Sequence, residues 1–128
     1  MSTHMIRLRH TSPPMTSNGQ RRAHWTAVRK AKQEVHDDVY WRIRESRIAR
    51  LAVHPPCEVF LTWYAPDARI RDSDCLSVML KGCLDAIVAA NIGLPGDDHR
   101  YVTRSGSSVV VDRADPRIEL QIVEVEAA

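Results

Sequence analysis

The residues that could do chemistry are crowded between positions 69 and 102. Arg71-Asp72-Ser73-Asp74 stands at the entry to a helical pattern, Lys81 and Asp85 lie within it, and Asp97-Asp98 follow just beyond it. A helix advances about 100° per residue, so if Asp74 is already helical, Asp74, Lys81 and Asp85 project within about 40° of one another. The result is a stripe of carboxylate, amine and carboxylate on an otherwise apolar helix. Crowded carboxylates raise one another's pKa, and a divalent cation removes that repulsion. Hard oxygen donors select Mg²⁺ or Mn²⁺ over zinc. On a phosphodiester, such a cation would polarise a phosphoryl oxygen and lower the pKa of the attacking water. Lys81 would then stabilise charge developing on the phosphate.

Each piece also has a plainer alternative. Asp72 and Asp74 suit helix capping, since Asp is favoured at N-termini. Lys81 and Asp85 make an ordinary i,i+4 pair, worth a few tenths of a kcal/mol. Asp97-Asp98 follows Pro95-Gly96 and suits a turn. The three cysteines, Cys57, Cys75 and Cys83, have no CxxC spacing, which argues against a zinc site or a disulfide framework. Cys83 lies in the apolar helical pattern and is expected in the core.

The elements that must position these groups follow from periodicity. Met5–His10 alternates as a strand, Thr11–Gln20 is a Pro-, Ser- and Gly-bearing loop, and 22–51 is a long charged helix. That helix has Trp25, Val28, Val35, Val39, Ile43 and Ile48 at its apolar positions. Cys57–Tyr64 is the clearest strand, with Val59, Leu61 and Trp63 on one face. A second helix spans Asp74–Asn91, with Leu76, Leu80, Cys83, Leu84 and Ile87 as its stripe, and ends in the Asn91-Ile92-Gly93-Leu94-Pro95 stop signal. Tyr101–Arg104 and Ser108–Arg113 are expected as a hairpin around Ser105-Gly106-Ser107, and Ile118–Val125 as the last strand. The fold class predicted is α+β: two main helices on a small mixed sheet, in a single domain over 1–128.

Charge is distributed unevenly. Residues 1–50 hold 11 Lys+Arg and 4 Asp+Glu, whereas 51–128 hold 7 and 12. A basic N-terminal part suits contact with a polyanion, or equally a solvated helix face. No run approaches a membrane span and no signal-peptide pattern opens the chain, so a cytoplasmic location is expected.

Arg71-Asp72-Ser73-Asp74-Cys75-Leu76, Leu80-Lys81-Gly82-Cys83-Leu84-Asp85-Ala86, Asn91-Ile92-Gly93 and Asp97-Asp98 together resemble the RusA-type Holliday junction resolvases. Pro13-Pro14, Ser17-Asn18 and His24-Trp25 resemble the proline-rich opening of phage-borne members. The resemblance implies a homodimeric crossover junction endodeoxyribonuclease. Such an enzyme cuts four-way branched DNA by paired nicks in recombination and repair, with Mg²⁺ (or Mn²⁺ in its place) and no organic cofactor. It would act in a bacterial host, encoded there or by a phage or prophage. The implied catalytic residues are Asp72, Asp74, Lys81 and Asp98, with Asp72, Asp74 and Asp98 holding the metal and Asp85, Asp97 and Cys75 behind them. DNA contacts are expected from Asn18, Arg21, Arg22, Arg29, Lys30, Lys32, Arg69 and Arg71. Two features depart from the family pattern. Cys75 replaces an Asn, and Asp74 and Lys81 are seven residues apart where the best-known members have four. Both spacings return to one helix face. The Cys75 departure makes a weak or inactive branched-DNA-binding protein the alternative.

Overall fold

The computed structural model describes residues 2–46 and 52–126, apart from the side chains of Arg21 and Arg22. In chain order the elements are β1 (Thr3–Arg7), α1 (Ser17–Arg22), α2 (Trp25–Glu45), β2 (Cys57–Ala65), α3 (Ser77–Ala89), β3 (Val102–Val111) and β4 (Arg117–Glu124). Alternation sets the sheet. Cys57, Val59, Leu61, Trp63 and Ala65 of β2 are buried, as are Ile118, Leu120 and Ile122 of β4 and Ile6 of β1. These residues form one face. Strand order is β1-β4-β2-β3, with β2 antiparallel to β4 and parallel to β3. The parallel β2–β3 pair requires a crossover, and α3 is that crossover.

Helix α2 turns Val35, Val39 and Ile43 into the same core, and α3 adds Leu76 at its cap, Met79, Cys83, Ala86 and Ile87. The two helices approach closely at Gly82, where an added methyl would stand 3.1 Å from Val35 Cγ1. Among the described residues no helix is long and apolar enough to cross a membrane.

The α+β class and the mixed sheet hold, and four expectations change. The hairpin is absent: Ser105-Gly106-Ser107 runs straight through the ten-residue strand β3. Its turn-type residues are overridden by the continuous parallel ladder that β2 offers, with Phe60 paired to Gly106. Among the described residues the sheet therefore has four strands and not five. Helices number three among the described residues, because Ser17–Arg22 coils within the expected loop, capped by Thr16 accepting from the Gly19 amide. The long helix is shorter than expected at Trp25–Glu45, and expectations for 47–51, including Ile48, lie outside the described residues. The fourth change concerns α3, which begins at Ser77, with Ser73–Leu76 forming a turn ahead of it. Asp74 is thus not helical, and helix spacing does not put it on the Lys81 face.

The exit from α3 matters for the site. Asn91 takes the left-handed conformation, φ 56°, and Gly93 has φ 115°. A side chain at Gly93 would collide with the Val53 carbonyl oxygen. The Val53 amide donates to the Ile92 carbonyl at 2.6 Å, fastening this turn to the core. The chain then doubles back along α3, carrying Asp97 and Asp98 toward the helix's second turn.

Candidate functional site

Lys81 is where the returning loop arrives. Its Nζ donates to Asp97 Oδ2 at 2.8 Å and lies 3.1 Å from Asp85 Oδ1, one helical turn on. The hydrogen bonds to Asp97 and then Asp85 hold the ammonium pKa above its ordinary value, so the amine stays charged. An ammonium has three donors, which leaves one beyond these two partners.

Asp98 faces a different cation. Arg100 Nε and Nη2 donate to its two oxygens at 2.9 and 3.0 Å, and the Arg100 amide donates to Oδ1 at 3.0 Å. The guanidinium, then the amide, lower the carboxyl to about 2. Asp98 therefore performs the turn chemistry that Pro95-Gly96 suggests, and Arg100 is a partner that sequence reasoning missed. Its one signal was the i,i+2 spacing.

Asp72 and Asp74 sit on the turn before α3, docked on α1. Asn18 Nδ2 donates to Asp72 Oδ2 at 2.6 Å. Ser17 Oγ bonds the Asp74 carbonyl at 3.1 Å and pairs with Ser77 Oγ at 2.8 Å, while the Ser17 amide donates to the Cys75 carbonyl. Short helix α1 is therefore the brace of the acidic turn. No side chain caps α3, so neither carboxylate acts as the cap its position suggested. Among the described residues no side chain pairs with the Asp74 carboxylate. Cys75 points into the core, where burial raises its thiol pKa.

Between α2 and α3 runs a groove of about 510 Å³, lined by Gln20, Arg29, Lys32, Gln33, His36, Ser77, Val78, Lys81, Gly82 and Asp85. Its walls carry three cations, and its one carboxylate, Asp85, is paired to Lys81. Ser77 ties one end of the α3 wall to the Asp72–Asp74 turn, and Lys81, a turn further along that wall, bonds Asp97. The remaining expected DNA contacts divide. Lys30 is exposed on α2 but does not line this groove. Arg71 is occupied, with Nη2 2.7 Å from Asp67 Oδ1 and its guanidinium 4.6 Å over the Trp63 ring. Arg69 is exposed, 3.6 Å from Asp67. The side chains of Arg21 and Arg22 lie outside the described residues.

The donors Asp72, Asp74 and Asp98 fit a hard divalent cation in kind, being accessible carboxylates. In this conformation Asp72 and Asp98 are engaged with Asn18 and Arg100, and among the described residues no group of three His, Cys, Asp or Glu side chains could hold a metal ion. A buried carboxylate was also missed by sequence reasoning. Asp38 on α2 accepts from the Arg9 and His10 amides at 2.9 and 3.0 Å, and its Oδ2 lies 2.6 Å from His10 Nδ1, pinning the segment after β1.

The fold and site define a small α+β domain with a basic interhelical groove beside an acidic turn. No protein-family model matches the chain, and no curated protein matches it.

Proposed function

We propose that this chain is a Mg²⁺-dependent, structure-selective DNA endonuclease that cuts branched DNA, four-way junctions above all, by paired nicks. The observation that carries the reading is the α2–α3 groove. Arg29, Lys32 and Lys81 line it, with the Asp72–Asp74 turn at one end and Asp97 bonded to Lys81. Arg29 and Lys32 would hold backbone phosphates by displacing counterions, without reading sequence. Lys81, kept charged by Asp97 and Asp85, would offer its remaining N–H to the phosphoryl oxygen as charge develops there. The Asp74 carboxylate, without a side-chain partner among the described residues, would accept a proton from the attacking water. Asp72, Asp74 and Asp98 would hold the cation, which when bound supplies Lewis-acid activation of phosphate and water. For Asp98 this means exchanging Arg100 for the metal. A two-fold homodimer would present one such site to each of two opposing strands.

Two observations favour a second reading, a branched-DNA-binding protein without useful catalysis. Asp98 is clamped by Arg100, and Cys75 is buried where the resembling family has an amide. A labelled synthetic junction, incubated in Mg²⁺ and in EDTA, separates the two. Paired nicks that disappear in EDTA are expected. A stable shifted complex with no nicks, in Mg²⁺ and Mn²⁺ alike, would contradict the nuclease reading and favour the second.

A further inference from the structure

The periodicity of α2 predicts Trp25 on the buried stripe, yet it stands 63% exposed. Its ring neighbours that of His24, 5.6 Å away and tilted by 34°. A large apolar ring left in water at a helix entrance needs a reason, and its surroundings supply one. Trp25 lines a depression of about 450 Å³ with Gln20, Ala23, Val28, Arg29 and Lys32. Gln20, Arg29 and Lys32 also line the groove already described, so the two run into one another. Trp25, Arg29, Lys32 and His36 recur at spacings of four, three and four along α2, which places them on one helix face. The lining around Trp25 includes two cations and no carboxylate.

Trp41 is the internal comparison. It too is exposed, at 56%, but its depression is shared with Glu34, Asp37 and Asp38 against Arg9 and His10. A polyanion is disfavoured there and favoured at Trp25. We infer that Trp25 is a stacking platform for an unpaired base of single-stranded DNA whose phosphates run along Arg29 and Lys32 into the α2–α3 groove. Every base has a π-face, so such stacking is tolerant of sequence, and it selects unpaired strands because a base in a duplex is already stacked. This rests on the proposed DNA-binding role of the groove and narrows it: the branch must expose at least one unpaired nucleotide.

The test is a titration of the intact protein in EDTA with oligothymidylate and, separately, with blunt duplex, read by tryptophan fluorescence and by a mobility shift. Circular dichroism confirms that each variant folds. Oligothymidylate should quench the emission, and most of that quenching should vanish in Trp25→Ala while remaining in Trp41→Phe. The same Trp25→Ala change should weaken oligothymidylate binding on the order of tenfold and leave duplex binding unchanged. Equal affinity in Trp25→Ala and wild type would overturn the platform, and if Arg29→Ala still weakens binding the groove reading survives it. Wild type that ignores oligothymidylate while cutting junctions in Mg²⁺ also overturns the platform alone. Wild type that binds no DNA overturns both. Trp25 emission that shifts with protein concentration alone would mark a second copy covering the ring, and overturns the platform too.

Discussion

Two cations in this molecule each gather acidic partners, and they do so in opposite ways. On the open face of the sheet, Arg117 Nε lies 2.6 Å from Glu119 Oε1 and Nη1 lies 2.9 Å from Asp112 Oδ2, with its guanidinium 3.7 Å over the Tyr64 ring. Its side chain is only 19% exposed. The fork is filled, its pKa is raised by Glu119 and then Asp112, and it ties the β3–β4 connection to two strands. On the other side of the sheet, Lys81 also holds two carboxylates, but its side chain is 63% exposed and borders a basic groove. A planar fork matched to bidentate partners suits a closed structural clamp, whereas a compact ammonium with a donor left over suits a site that must take a third partner. Similar charge counts therefore close one region, and under the proposed function leave the other open to a substrate phosphate.

That contrast can be broken by exchange of effects. Lys81→Ala should lower junction cleavage about 10²- to 10³-fold, the scale of removing one preorganised donor from a developing oxyanion. Its thermal midpoint should stay within about 2 °C of wild type, as for surface substitutions generally. Arg117→Ala should do the reverse, lowering the midpoint in a melting scan while single-turnover cleavage is unchanged. If both variants lose stability and neither loses activity, the two clusters are the same kind of thing.

A smaller effect sharpens the groove itself. Arg29→Ala and Lys32→Ala should each weaken junction binding across all sequences and reduce the slope of log K against log salt by about 1. Lys30→Ala, exposed on the same helix but outside the groove, should leave the slope as it was. Identical slopes for all three would mean that the groove is not where the phosphates lie.

The smallest effect concerns the core beneath. Burial raises the Cys57 thiol to about 11 and the Cys83 thiol to about 12, against an ordinary 9.0. For a group whose folded pKa is raised, the stabilising contribution is complete below the unfolded value and is lost as pH rises toward the folded one. Denaturant midpoints should therefore hold steady up to pH 9 and fall from there to pH 11. Cys83→Ala should flatten that fall, lowering stability below pH 9 and by less as the pH rises beyond it.

How much of this was readable in advance depended on whether the cause was local. Strands β2 and β4 follow from alternation, and helical spacing puts Leu76, Cys83 and Ile87 of the expected α3 stripe in the core, whereas Leu80 and Leu84 are only partly buried and Met79 and Ala86 take the other core places. What escaped was decided by distant partners. The Ser105-Gly106-Ser107 segment became strand because β2 lies beside it, and Ser17–Arg22 became helix with Ser17 and Asn18 bonded to residues 57 to 60 and 54 positions away. The carboxylate–amine stripe was read from helix spacing, yet only Lys81 and Asp85 meet that way. Asp97 reaches Lys81 because Asn91 and Gly93 turn the chain back. Arg100 on Asp98 and the buried Asp38 depend on tertiary packing that no periodicity encodes.

The central claim is that the acidic turn before α3 does the cutting while the groove does the holding. Asp74→Asn tests it most directly, because that carboxylate has no partner among the described residues and its amide keeps the shape. Under single-turnover conditions with saturating protein, the variant should bind a four-way junction as wild type does and cleave it at least about 10²-fold more slowly. Cleavage at the wild-type rate would contradict the account, because the chemistry would then lie elsewhere than the turn held by Ser17 and Asn18.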